Sequence, residues 1–205
     1  MKHARTLSIL VEWGRVHRRV FPWRGEKDPF KLLVAEVLLQ RSRSSSVATV
    51  LKEFFHRWPD ASALISAPIG EVEKMLYPLG LVGRAGTIVQ LATAYLKLQP
   101  RTWTPTSLRS LPGVGPITAA SVSASLGLGL VPIDAVSRRV YERSIGQTTE
   151  GLDKTLAVLC LKYEIPTDEL NWAALDLASA ICMPKHPRCE GCPLCRVCQW
   201  NNREH

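Results

Sequence analysis

The sequence has no long apolar run, no strand-like alternation and no export signal, and each absence removes a class of protein. No run approaches the roughly 18 uninterrupted apolar residues that a membrane-spanning helix requires. The N-terminal stretch MKHARTLSILVEWGRVHRR carries charges where a signal peptide needs an apolar centre and a small-residue cleavage site. We therefore expect an intracellular protein without a membrane partner, in the cytoplasm at the nucleoid if the organism is prokaryotic. With 46% apolar and 21% charged residues, a disordered chain is excluded as well.

Cysteine is scarce outside one short segment, which contains five of the six cysteines. A disulfide framework would spread them through the chain, and an intracellular setting disfavours disulfides. Cys182, Cys189, Cys192 and Cys198 have the spacing C-x6-C-x2-C-x5-C, and four thiolates in one loop suit an iron–sulfur cluster or a structural zinc. A second quartet, with Cys195 in place of Cys182, has three consecutive C-x2-C intervals. The spacing predicts metal binding and leaves the metal open.

Helical periodicity extends over most of the 205 residues, so we predict an all-α protein. Prolines fall mostly between the predicted helices, because a proline lacks the N–H that a helix interior needs. Pro78 lies inside one of them and should end it early. The predicted helices span residues 5–20, 30–42, 46–58, 70–79, 84–98, 106–110, 116–127, 135–145, 152–164 and 168–182.

The segment LPGVG at 111–115 joins two predicted helices and forms a helix-hairpin-helix motif. Gly113 and Gly115 permit positive φ and lack a Cβ, so that backbone N–H groups can approach an anion closely. Pro116 suits the first turn of the next helix, whose N-terminus offers unpaired N–H donors. An ordinary tight turn is the alternative. Since the net charge of +8 favours a polyanionic partner, we predict that the N–H groups from Gly113 to Ile117 hold a DNA phosphate.

Two carboxylates are candidates for catalysis. Glu36 interrupts the apolar run KLLVAEVLLQ and would share a helical face with Gln40 and Arg43. It is either part of a solvated stripe or a half-buried acid that donates a proton near neutral pH, because burial favours the neutral form. Asp134 begins the helix predicted at 135–145, where it is an N-cap, or a carboxylate held ionised by helix N–H groups to stabilise a cation or orient a water. Two such carboxylates, one protonated and one ionised, can cleave a glycosidic bond.

Together these motifs resemble the helix-hairpin-helix, Gly/Pro-Asp superfamily of base-excision DNA glycosylases, in the iron–sulfur branch that includes endonuclease III and the MutY-type adenine glycosylases. The resemblance covers nearly the whole chain. The segments that carry it are FPWR at 21–24, DPFKLLVAEVLLQRS at 28–42, GLVGRAG at 80–86, LPGVGPITAA at 111–120, VPIDAVSRRV at 131–140 and LDLASAICMPKHPRCEGC at 175–192.

The resemblance implies an all-α, two-domain glycosylase fold with a C-terminal iron–sulfur cluster loop. Residues 22–130 would form a six-helix domain that carries the hairpin. Residues 1–21 and 131–205 would form a helical domain with the cluster loop at 182–198. A [4Fe–4S] cluster is then expected on the first cysteine quartet, with Cys195 as a non-ligand.

The resemblance also implies roles for individual residues. Asp134 would be the catalytic aspartate that stabilises the oxocarbenium-like sugar, and Glu36 matches a base-pocket glutamate of the adenine and thermophile thymine/uracil mismatch glycosylases. Ile117 stands where bifunctional members carry the Schiff-base lysine, so we expect water as the nucleophile and little or no AP-lyase activity. A monovalent cation on the hairpin carbonyls is also expected. The residues expected to contact DNA are Gly113, Val114, Gly115, Ile117, Gln40 and Arg41. Gln40 or Arg41 would fill the gap left by a flipped base or contact its orphaned partner.

The chain is therefore expected to be a monofunctional, monomeric glycosylase that acts on double-stranded DNA with a mismatched base. Its compactness, the FPWR-x3-DP opening and the LDLASAIC segment favour thymine or uracil opposite guanine, although those relatives carry a tyrosine or lysine where this chain has Ile117. An adenine glycosylase that lacks the usual C-terminal domain is the alternative. Against it, Gln40-Arg41 and Val82-Gly83 stand where those enzymes have paired glutamines and tyrosines. A non-catalytic DNA-structure-binding module is a further alternative.

Overall fold

The computed structural model describes residues 2–98, 103–146 and 151–201, and all regular elements in these ranges are helical. The all-α prediction is therefore confirmed. In this part of the chain no helix is long and apolar enough to cross a membrane. The α-helices are α1 (Lys2–His17), α2 (Pro29–Leu39), α3 (Ser44–Arg57), α4 (Ala61–Ile65), α5 (Ile69–Leu76), α6 (Ala85–Lys97), α7 (Pro105–Arg109), α8 (Pro116–Ser125), α9 (Ala135–Ile145), α10 (Leu152–Lys162) and α11 (Thr167–Ala180). Short 3-10 turns cover Tyr77–Leu79, Val82–Arg84 and Cys189–Gly191.

The predicted helices correspond to observed ones, with differences at particular ends. The prediction missed the five-residue helix α4. Helix α5 ends at Leu76 and continues as a 3-10 turn through Pro78, as expected of a proline that cannot donate. Helix α2 ends at Leu39, three residues before its predicted end, and Arg43 lies at the N-cap position of α3 without a side-chain capping bond. The predicted helical face that included Arg43 is therefore wrong.

The described contacts divide the chain into two compact units. Unit 1 comprises the described residues of Met1–Arg19 and Gly129–His205, and unit 2 is Val20–Leu128. The described part of unit 2 contains seven α-helices, α2 to α8, one more than the predicted six because of α4. The assignment of 22–130 and of 1–21 with 131–205 as functional domains stays a prediction.

Unit 2 is organised around α2, which is buried on nearly all sides. Asp28 caps its N-terminus by accepting a hydrogen bond from the Phe30 N–H at 2.9 Å. The buried side chains are Phe30, Leu32, Leu33, Val34, Ala35, Val37 and Leu38. A helix that is apolar all round belongs in a core, and α8 packs against it with small side chains. The C-terminus of α2 thereby lies against the hairpin that precedes α8.

Unit 1 is held by the close packing of α1 on α11. The face of α1 predicted from periodicity, with Leu7, Leu10 and Val11, is buried as expected. Gly14 lies against Ala173, and a Cβ at position 14 would be 2.5 Å from the Ala173 Cβ. Because such a distance is far inside van der Waals contact, glycine at this position is what permits the two helix backbones to approach.

Candidate nucleic-acid interface

The hairpin between α7 and α8 takes its shape from Gly113. This residue has φ +77°, and a Cβ there would lie 2.8 Å from Thr87 Cγ2. Position 113 therefore needs glycine both for conformation and for space. Gly115 differs: its φ is −85° and its ψ 178°, and nothing lies within 4 Å of a Cβ built on it. The expectation of positive φ thus applies to Gly113 alone, while Gly115 is the N-cap of α8.

The hairpin offers backbone donors at the start of the ten-residue helix α8. The Val114 N–H donates to Leu111 O at 3.1 Å and is therefore engaged within the turn. No described residue accepts a hydrogen bond from the N–H of Gly115 or Ile117. Pro116, between them, has no N–H to offer. Two outward donors at a helix N-terminus, where the helix dipole adds partial positive charge, can bind a phosphate-sized anion.

Gln40, expected at the DNA, is bonded to the hairpin instead. Its Nε2 donates to Gly113 O and to Thr118 Oγ1, each at 3.0 Å. The Gln40 Oε1 accepts from Arg84 Nη1 at 3.1 Å, and the same Nη1 donates to Val37 O. The side chains of Gln40 and Arg84 therefore connect the end of α2 to the hairpin. Sequence reasoning gave Arg84 no role, and a role for Gln40 in direct DNA contact stays a prediction.

Arg41 follows Gln40 and is exposed, with φ +65°. A non-glycine residue in this left-handed region costs about 1 kcal/mol, so its neighbours must hold the turn. Partial burial and the nearby charge of Arg41 both lower the pKa of Arg84. Arg41 is thus exposed and close enough to Arg84 to act on its charge, and its role at DNA stays a prediction.

Glu36 is half-buried on α2, among the apolar side chains that form the core of unit 2. Its role as a proton donor stays a prediction.

Asp134 is the N-cap of α9 and is half-buried. Its Oδ1 accepts hydrogen bonds from the N–H groups of Val136 at 2.8 Å and Ser137 at 2.7 Å. In return, the Asp134 N–H donates to Ser137 Oγ at 3.1 Å, which completes a capping box. No described residue donates to Oδ2. The carboxylate is therefore fixed by one oxygen and presents the other for a ligand or a water.

In the cysteine loop, Cys182 to Cys198, several thiols lie close enough together to change one another's pKa. Burial raises the pKa of Cys192 to about 11; a hydrogen bond from Leu194 lowers it, and the neighbouring thiols Cys182, Cys198 and Cys189 raise it. The pKa of Cys189 is also raised, most by burial and then by the neighbouring thiols of Cys198, Cys182 and Cys195. Within residues 2–98, 103–146 and 151–201, no three His, Cys, Asp or Glu side chains form a group that could hold a metal ion. Cys182, Cys189, Cys192 and Cys198 would supply four thiolates, the ligand type that a [4Fe–4S] cluster takes, and their role as ligands stays a prediction.

Two arginines of α9 hold the start of the cysteine loop. Arg143 Nη1 donates to Cys182 Sγ at 3.6 Å and to Met183 O at 2.8 Å, and its Nη2 donates to Pro184 O at 2.9 Å. Arg139 Nε donates to Cys182 O at 2.9 Å. Sequence reasoning missed both residues. The signal was their spacing of four on one helix, which places them on the same face.

The end of the cysteine loop returns to the same helix. The Trp200 N–H donates to Arg143 O at 2.9 Å, and the Arg143 guanidinium carbon lies 4.8 Å from the centre of the Trp200 ring. Cys198 Sγ also lies 3.4 Å from Arg143 O. Cys195 has a separate partner, since Asn201 Nδ2 donates to its Sγ at 3.4 Å. The exclusion of Cys195 from the ligand set stays a prediction.

Comparison with known proteins agrees with the motifs. The family model for HhH-GPD superfamily base excision DNA repair proteins matches residues 34–162. The thymine-DNA glycosylase of Aeropyrum pernix is 33% identical over 95% of this chain and 93% of that protein. The adenine DNA glycosylase of Mycolicibacterium smegmatis is 32% identical over 94% of this chain and 68% of that protein. The structure of a thermostable thymine-DNA glycosylase superposes with a TM-score of 0.85 at 27% identity, over 98% of this chain and 97% of the other. The resemblance is confirmed, and the chain belongs to the HhH-GPD superfamily of base excision DNA repair proteins.

Proposed function

We propose that this protein is a monofunctional DNA glycosylase that hydrolyses the N-glycosidic bond of thymine or uracil opposite guanine. The observation that carries the proposal is Asp134, whose Oδ1 is fixed by two helix N–H groups and whose Oδ2 receives no described hydrogen bond. A carboxylate fixed in this way can stabilise a developing sugar cation and orient a water molecule without reorganising.

The other residues supply binding and proton transfer. The N–H groups of Gly115 and Ile117 bind a phosphate beside the target nucleotide, which is flipped out of the duplex. Arg41 enters the space that the base leaves. Glu36, half-buried among apolar side chains, protonates or polarises the leaving base. A monovalent cation on the hairpin carbonyls and a monomeric state belong to the same proposal.

Ile117 decides between hydrolysis and strand cleavage. It is the second residue of α8 and its side chain is 50% exposed. An amine at this position could attack the sugar and form a Schiff base, but an alkyl group cannot. Water is then the nucleophile, and the strand stays intact at the abasic site.

The choice of base follows from the thymine-DNA glycosylases to which the chain is similar over most of its length. A pocket that accepts thymine also accepts uracil, which differs only by a missing methyl group and loses little binding energy. Adenine is the second candidate, because an adenine DNA glycosylase is similar to this chain at nearly the same identity. The resemblance also implies a base-pocket glutamate in that class, at the position of Glu36.

We propose a [4Fe–4S] cluster on Cys182, Cys189, Cys192 and Cys198. Bound there, it would cross-link the loop covalently and contribute to its folding. The loop also carries Lys185, His186, Arg188 and Arg196, which add positive charge suited to a phosphate backbone. A brown preparation with broad visible absorbance supports the cluster, whereas a colourless one with stoichiometric zinc contradicts it.

A panel of duplexes tests the proposed function. It contains T·G, U·G, A·G, A·8-oxoguanine and hypoxanthine pairs, each incubated with the protein and resolved with and without alkali. We expect cleavage at T·G and U·G only after alkali, which reveals abasic sites. Product at the adenine pairs instead assigns the second candidate. Duplex binding without abasic product on any substrate shows a non-catalytic DNA-binding module.

A further inference from the structure

We propose that Gln40 is a positioning residue that braces the phosphate-binding hairpin and leaves DNA contact to the hairpin and Arg41. This inference rests on the proposed function, since it concerns how that hairpin binds DNA. It predicts that Gln40 governs affinity for DNA and not the chemical step.

We call the hydrogen bonds that Gln40 makes with Gly113, Thr118 and Arg84 the brace. They leave the Gln40 amide with few free donors or acceptors for a ligand. Both N–H bonds of Nε2 are used, on Gly113 O and Thr118 Oγ1, and Oε1 accepts from Arg84. The arrangement also fixes the orientation of the amide. A flipped amide would set its NH2 against the Arg84 guanidinium and its oxygen against Gly113 O, which are two repulsive contacts.

Arg84 extends the brace to the helix that carries Gln40. Its Nη1 also donates to Val37 O, in the last turn of α2, where carbonyls lack an intrahelical partner. One guanidinium therefore satisfies the end of α2 and orients Gln40 at once. Through these bonds the end of α2, the start of α6 and the hairpin form one connected block.

The brace also fixes the backbone conformation of Arg41, the residue that follows Gln40. Gln40 is the extended C-cap of α2, with φ −62° and ψ 111°, and Arg41 then takes φ +65°. The Ser42 N–H closes this turn on Leu39 O at 3.3 Å. A left-handed arginine persists only where its surroundings hold it, and the anchored Gln40 side chain immediately precedes it. The brace thereby sets the spacing between Arg41 and the hairpin donors at Gly115 and Ile117.

Two variants of similar volume remove the brace without leaving a cavity. Gln40→Met deletes all three hydrogen bonds, and Gln40→Glu places an acceptor opposite Gly113 O. We expect each variant to bind a duplex that carries a non-cleavable abasic-site analogue opposite guanine with a Kd about tenfold above that of the wild type. The single-turnover excision rate at saturating enzyme should stay within about twofold of the wild type. Gln90→Glu, an exposed position on α6 with the same charge change, is the matched control and should leave Kd unchanged.

A double-mutant cycle separates bracing from direct contact. If Gln40 acts through the brace, Arg84→Met weakens binding about as much as Gln40→Met, and the double variant is no weaker than the worse single one within about twofold. Additive losses, or an Arg84→Met variant with wild-type affinity, would show that Gln40 touches DNA itself. Arg84→Lys, which keeps a donor, should recover part of the affinity.

Hydrogen exchange without DNA tests the brace independently of activity. Loss of the brace should speed amide exchange at Val114 and Ala119, whose N–H groups donate to Leu111 O and Gly115 O in the wild type. The variants and the wild type are compared at the same interval below their thermal midpoints. If the Gln40 variants exchange faster and the wild type excises no base on the duplex panel, the brace is supported and the proposed function is wrong. Unchanged exchange and unchanged Kd in an active glycosylase overturn the brace and leave the function standing.

Discussion

The hairpin of unit 2 and the cysteine loop of unit 1 are held by different means. In the hairpin, Leu111 and Val114 are buried, and Gln40 bonds to the turn from α2. The cysteine loop is longer, and among residues 182–198, all of which the structure describes, only Leu194 is buried. Cys182, Cys192, Val197 and Cys198 are partly buried against the core of unit 1, and polar contacts to α9 hold the two ends of the loop.

This difference predicts where each segment obtains its stability. A tight turn with two buried side chains and a side-chain brace can keep its shape without a ligand. A long loop with one buried residue gains too little from apolar burial to offset its conformational entropy. Bonds between the thiolates and a metal centre can supply the missing stability. The two segments should therefore respond differently to substitution and to metal removal.

The largest expected effect is a loss of base excision that leaves both the hairpin and the cysteine loop folded. Asp134→Asn keeps an oxygen that can accept from Val136 and Ser137, so the cap of α9 survives. The neutral amide cannot stabilise a sugar cation, and we expect excision to fall roughly 10³-fold. Single-turnover kinetics with alkali treatment measure the loss. Asp134→Ala is the companion variant, which should in addition lower stability by about 1 kcal/mol. Full excision by Asp134→Asn would refute the assigned mechanism.

The next effect separates the cysteine loop from the hairpin. Cys192→Ser should abolish visible absorbance and lower the free energy of unfolding by about 3 kcal/mol, or roughly 10 °C in thermal midpoint. Hydrogen exchange should rise in the loop and stay unchanged in the hairpin. Cys195→Ser is the control, because a hydroxyl can still accept from Asn201, and it should keep the absorbance. If Cys195→Ser loses the colour and Cys182→Ser retains it, the alternative quartet is the ligand set.

A smaller effect tests the hairpin from within. In Gly113→Ala the new methyl meets Thr87 and the residue must keep φ near +77°, so we expect a loss of about 2 kcal/mol in stability together with weaker duplex binding. Gly115→Ala has open space and an extended backbone, and should change stability by less than about 0.5 kcal/mol. Urea titration of both variants measures the contrast. Equal losses would show that the turn does not depend on its left-handed glycine.

The smallest effect is a pH dependence within unit 1. Burial raises the pKa of Cys160 from 9.0 to about 11. Between these values the unfolded chain releases the thiol proton while the folded chain keeps it, so stability is full below pH 9 and falls toward pH 11. Cys160→Ala lacks this titration, and its stability deficit relative to the wild type should shrink by about 1.3 kcal/mol between pH 8 and pH 10. A deficit that is constant with pH would contradict the shift.

Local chemistry explains which parts of the fold could be predicted. Helix α9 matched its predicted span because Asp134 caps its start and Gly146, with φ +68°, ends it. The brace and the arginine contacts could not be predicted in the same way. Gln40 reaches Gly113 across 73 positions, and Arg143 reaches Cys182 across 39. No local propensity specifies such partners, because they meet only after the helices have packed.

The contact between Gly14 and Ala173 has a consequence for the order of folding. All of unit 2 lies between α1 and α11 in the sequence, so α1 lacks its main partner until residue 180 has been made. At about 5–20 residues per second, synthesis to this point takes roughly ten to thirty-five seconds. Unit 2 can fold during that interval, while Leu7 and Leu10 of α1 stay uncovered. Nascent chains should therefore bind a holdase chaperone through their first 17 residues and release it once α11 emerges.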